Sequence, residues 1–124
     1  MLQFSVDGDA RPIRRTGRSS AQTYTVDIGK HRVDDAQPVR VSYTYRTLVA
    51  RGEHALQLGL RQPTHGVHID VRYDAAIGHV GLIDFLASSE RISVTRSPET
   101  VTDKCVSLDF DGWAMPRSGV VIVW

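Results

Sequence analysis

Cysteine is nearly absent: Cys105 stands alone in 124 residues. No disulfide can close within the chain, and the composition suits a reducing cytosol. No apolar run approaches the ~20 residues that a bilayer-spanning helix needs. No basic segment followed by an apolar one opens the chain, so no secretory leader is expected. Asparagine is missing altogether, and two Lys and three Glu stand beside 13 Arg and 11 Asp. GC-rich coding accounts for such a skew, although planar guanidiniums also suit bidentate contacts with anions. The net charge of +1 excludes a strong overall field toward polyanions, so nucleic acid is not an expected partner.

Chemical signatures are equally sparse. No nucleophile elbow, phosphate loop, dinucleotide fingerprint or paired-cysteine site is present, and no cofactor is expected. His65 and His68 have a metal-like H-x-x-H spacing, but residues three apart on a strand point to opposite faces. Asp109-Phe110-Asp111-Gly112 opens like a calcium loop. Trp113, Ala114, Met115 and Pro116 then follow where further oxygen ligands are needed, so no metal site is expected. Candidate catalytic groups are His68 with Asp70, His79 with Asp84, and Cys105; a hydrolase would use one of the two His/Asp pairs. His68 and Asp70 share the polar face of a strand, where a solvated ion pair is the ordinary outcome.

What the chain has in abundance is alternation. Apolar residues make up 41% of it, enough for a core in a single domain spanning 1–124. Leu2, Phe4 and Val6 alternate with polar neighbours, and Asp7-Gly8-Asp9 reads as a turn. Ala10–Ser20 reads as a loop or exposed edge. Tyr24, Val26 and Ile28 then share a face. Val39, Val41, Tyr43 and Tyr45 alternate with Arg40, Ser42, Thr44 and Arg46, which commits the two tyrosines to the core. Leu56, Leu58 and Leu60 repeat the pattern, as do Val67, Ile69, Val71 and Tyr73. His79–Ala87 and Ile92–Val94 supply two shorter strands. The sum is an all-β chain of about eight or nine strands, an antiparallel sandwich or a partly closed barrel.

The stretch Lys104–Trp124 is expected at the centre. Val106, Leu108 and Phe110 alternate, Asp111-Gly112 reads as a turn, and Val120–Trp124 is a continuous apolar run. An antiparallel hairpin with Phe110 opposite Val120, Leu108 opposite Ile122 and Val106 opposite Trp124 places three apolar pairs on one face.

Two groups of residues are candidates for binding. Arg11, Arg14, Arg15 and Arg18, with Thr16, Ser19 and Ser20, could hold a phosphate or carboxylate of a small anionic ligand such as a nucleotide. Trp113 with Pro116 either caps one end of the fold or, exposed beside Met115, forms a recognition patch. A protein partner, or self-association through an unprotected edge strand, is the other expectation.

Three stretches, VSYTYRTLVARGEHALQL, PTHGVHIDVRYDAAIGHVGLIDFLASS and SLDFDGWAMPRSGVVIVW, resemble a β-rich domain of high-GC bacteria that also occurs at the C-terminus of larger chains. Its most specific parts are Arg46-Thr47-Leu48, Asp84-Phe85, and Asp111-Gly112-Trp113 with Pro116, Ser118 and Gly119. The resemblance implies no catalytic residues. It implies an accessory or sensor module of a regulatory or defence-type system, non-enzymatic and cytoplasmic.

Overall fold

The computed structural model describes residues 2–18, 21–30, 34, 37–48, 50, 52–86 and 90–124. The fold is all-β: antiparallel sheets, none closed into a barrel. Eleven strands are present among the described residues. They fall into two compact units, Met1–Val49 and Ala50–Trp124.

In the first unit, β1 (Leu2–Val6) lies between β2 (Asp9–Ala10) and β5 (Val41–Tyr45). The β1–β2 connection is a two-residue turn in which Asp7 and Gly8 both have positive φ, +51° and +90°. This is the backbone that Asp-Gly favours, because its twist matches that of the strands it joins. Asp7 also ties β1 to the start of β5. Its N–H donates to the Arg40 carbonyl, and its Oδ1 accepts from the Arg40 N–H, both at 2.9 Å. A separate hairpin joins β3 (Ile13–Arg18) to β4 (Ala21–Val26), with Arg14 opposite Thr25 and Arg15 opposite Tyr24. Within Ala10–Ser20, Ile13–Arg18 is therefore an exposed edge strand, the second of the two expectations, and Ser19 and Ser20 lie outside the described residues. The arginines of this strand have long aliphatic stems that an exposed two-stranded ribbon accommodates.

The second unit is a two-layer sandwich. One sheet has the order β7 (Thr64–Asp74), β10 (Asp103–Ala114), β9 (Ile92–Arg96). The other has the order β6 (Ala55–Gly59), β11 (Gly119–Val123), β8 (Gly81–Asp84). Leu108, Phe110 and Ala114 of β10 pack with Val120 of β11 and with Leu86. Val106 packs with Ile122 and Val80, flanked by Trp124. The apolar alternates of β7 and β10, with Val120 and Ile122 of β11, face this core, whereas Ile83 of β8 and Val94 of β9 stay exposed.

The expected β10–β11 hairpin does not form. Each strand is the central member of its own sheet, hydrogen-bonded on both edges to other strands. The apolar sets meet instead through their side chains, across the core. Alternation specifies which face of a strand is buried, but leaves open whether a neighbour is met edge to edge or face to face. Asp111 and Gly112 likewise belong to β10, at a bulge. Phe110 pairs with Val67 and Trp113 with His65, leaving two residues opposite Gly66, whose φ is +72°.

Candidate functional site

The strand β5 is an exposed edge, paired among the described residues with β1 alone. Every residue from Val41 to Tyr45 is exposed, and Tyr43 retains 53% of its surface. The expected burial of Tyr43 and Tyr45 therefore fails, because the three-stranded sheet is too small to enclose both ends of its apolar face. What forms instead is an aromatic row across two strands. Phe4 stacks on Tyr43 with centroids 6.4 Å apart, and Tyr43 stacks on Tyr45 at 6.2 Å. Burial raises the Tyr45 phenol above its ordinary range, and neighbouring Tyr43 adds to this. The segment Val-Ser-Tyr-Thr-Tyr has strong strand propensity and none of the Pro, Gly or charge that usually blunts an edge. Arg40 and Arg46 flank it.

The structure separates two of the four arginines singled out from the sequence. Arg14 and Arg15 are neighbours in β3 and so occupy opposite faces of the hairpin. Arg18 stands opposite Ala21 in the register. Arg11 lies between β2 and β3, where its N–H donates to the Phe4 carbonyl at 2.9 Å. Its side chain lines a shallow depression with Gln3, Ser5, Ser42 and Thr44, and its buried Nε has no hydrogen-bond partner. Such an unmet donor destabilises by ~1–3 kcal/mol.

Trp113 and Met115 are both exposed, each retaining 56% of its surface. Trp113 does not cap the core. It continues the alternation of β10, in which Val106, Leu108, Phe110 and Ala114 are buried, and so stands on the outer face, where its ring meets His65 edge-on at 5.2 Å.

A polar chain covers the outer face of the β7–β10–β9 sheet. His68 Nδ1 lies 2.6 Å from Asp109 Oδ1, and its Nε2 lies 3.3 Å from Asp70 Oδ2. The Ser107 hydroxyl donates to Asp70 Oδ1 at 2.6 Å, and the Cys105 thiol lies 3.8 Å from that hydroxyl. The hydrogen bond to Asp109 raises the His68 pKa; desolvation opposes it, and Asp70 adds to the rise. The Ser107 hydrogen bond lowers that of Asp70. Each ring nitrogen of His68 therefore faces a carboxylate, and the serine hydroxyl points to Asp70 rather than to the imidazole. The arrangement is a cross-strand hydrogen-bonded cluster in which the serine hydroxyl is not aimed at the imidazole. Asp109 is a partner that sequence spacing could not find, since it lies 41 residues away on β10. His65 and His68 have separate partners, and no metal-binding group of three or more His, Cys, Asp or Glu occurs among the described residues.

No helix among the described residues is long and apolar enough to cross a membrane. Compared with known proteins, the chain matches no family model, no curated protein and no solved structure.

Proposed function

We propose that this chain is a non-enzymatic interaction module, and that β5 is its docking edge for an extended segment of a protein partner. The supporting observation is the open, uncharged, aromatic edge Val41–Tyr45. A strand added there would gain main-chain hydrogen bonds along β5, while its alternate side chains continued the Phe4–Tyr43–Tyr45 row. Charge distinguishes the possible occupants. A second copy pairing antiparallel about Tyr43 would set Arg40 against Arg46 of the copy, and like charges directly opposite are destabilising. A partner strand flanked by Asp or Glu meets both arginines favourably. The pairing of both imidazole nitrogens with carboxylates supports the non-enzymatic side of this reading.

The test is an NMR titration with synthetic strand peptides of alternating Val and Thr, one flanked by Glu and one by Lys. The expected result is shift changes concentrated on 41–45 with the Glu-flanked peptide, lost in Tyr43→Lys. Shifts elsewhere, or equal binding of the two peptides, would refute the docking edge.

A further inference from the structure

We propose a second site, independent of the docking edge: a phosphate-binding cleft between Arg61 and Arg117 in the sandwich unit. The ladder between β6 and β11 sets Gly59 opposite Gly119. Just beyond it, the Leu60 N–H donates to the Ser118 carbonyl and the Arg117 N–H donates to the Leu60 carbonyl, each at 2.8 Å. Arg61 and Arg117 therefore flank the same step at the end of the ladder. They lie beside an open cleft of about 700 Å³ whose other walls are Gln57, Gly59, Leu60 and Pro116.

Three features of this cleft need a ligand to make sense together. Two arginines, one from each side of the ladder's end, line it together. Neither has a side-chain hydrogen bond or ion pair among the described residues, and no carboxylate lines the cleft. Arg117 is also held at φ +71°, in the left-handed region. It is the third residue of a turn closed by the Ser118 N–H on the Met115 carbonyl at 3.1 Å, with Pro116 before it. That position of such a turn ordinarily takes glycine. The turn cannot relax easily, because the buried Ser118 hydroxyl also donates to the Met115 carbonyl, at 2.5 Å. A strained side chain kept where glycine would serve the fold better points to a use for that side chain.

The fit is to a tetrahedral phosphate. Its several oxygens can accept from two guanidiniums at once, and the Gln57 carboxamide can donate to a third. Gly59 leaves the floor open, since nothing lies within 4 Å of where its Cβ would be. A phosphate carried on a larger molecule therefore has room to enter.

The experiment measures thermal unfolding at constant ionic strength in inorganic phosphate, phosphoserine or acetate, with ³¹P line widths of the two phosphates recorded alongside. Wild type is compared with Arg61→Gln, Arg117→Gly and the double variant. The wild-type melting temperature should climb with either phosphate and not with acetate, because a ligand that binds only the folded state stabilises it. Stronger broadening of phosphoserine would assign the cleft to phosphomonoesters, and equal broadening to the free anion. Each single variant should need at least tenfold more phosphate for the same rise. Arg117→Gly should in addition melt above wild type in phosphate-free buffer. Phosphate also stabilises proteins generally, by exclusion from their surface. An identical rise in the double variant would thus overturn the site, as would a wild type indifferent to phosphate or an Arg117→Gly that melts lower.

Discussion

Replacing Gly119 by alanine should cripple the sandwich unit, although it adds a single methyl group. Gly119 opens β11 and is hydrogen-bonded toward both flanking strands, opposite Gly59 of β6 on one side and accepting from the Phe85 N–H at 2.9 Å on the other. A Cβ built there would lie 2.0 Å from the Leu58 carbonyl oxygen and 2.9 Å from the Phe85 ring. The ring can swing aside, but the carbonyl belongs to the neighbouring strand and moves only if the ladder moves. Overpacking of this kind costs ~1–3 kcal/mol. Losing one ladder hydrogen bond adds ~0.5–1.5 kcal/mol. A loss of about 3 kcal/mol in a unit of some 75 residues corresponds to a fall of roughly 12–24 °C in melting temperature. Gly59→Ala is the internal control, because it changes the opposite member of the same pair where no atom lies within 4 Å. It should be neutral or slightly stabilising, since alanine narrows the unfolded ensemble. Urea unfolding followed by circular dichroism measures both. Equal stabilities for the two variants would refute the steric reasoning.

Two further expectations concern exposed side chains. The raised pKa of His68 means that its contribution to stability is complete below its unfolded value of ~6.5 and is lost as pH rises through the folded value. Asp70 runs the other way: its contribution holds above the unfolded value and fades as pH falls through the lowered one. The partners are mostly solvated, so each pair should contribute only ~0.2–1 kcal/mol. An imidazole NMR titration should show His68 titrating above ordinary histidine, and returning toward the usual range in Asp109→Asn. Trp113 should emit at long wavelength and be open to acrylamide, whereas half-buried Trp124 should be protected. The quenchable component should therefore vanish in Trp113→Phe.

The fold class was legible because it rests on period. Val67, Ile69, Val71 and Tyr73 face the core as their alternation requires, and Asp7-Gly8 turns as its chemistry requires. Pairing was less legible. Nothing local to Phe110 or Val120 distinguishes a hairpin from two layers facing each other, and the decision lay with β6–β9, which supply neighbours for both strands. Burial of Tyr43 and Tyr45 was misread for a related reason. Alternation identifies an apolar face, but the amount of protein available to cover it is a property of the assembled sheet. The candidate site residues divided along the same line. Trp113 and Met115 stand exposed. Arg14 and Arg15 are separated by the strand they share. The Arg61–Arg117 cleft has no sequence signal beyond a proline-initiated turn with an arginine where glycine is usual.

The position of β11 has a consequence for how the sandwich assembles. β6 and β8 are not neighbours of each other; both wait for a strand made some 35 to 60 residues after them. One sheet can therefore be complete while the other is still two loose ribbons. Closing such distant pairs is slow, since the intervening chain must be ordered before any contact rewards it. During synthesis, the Leu56 and Leu82 faces stay uncovered until Val120 and Ile122 slot between them, which makes that interval the period of greatest exposure to aggregation and proteases.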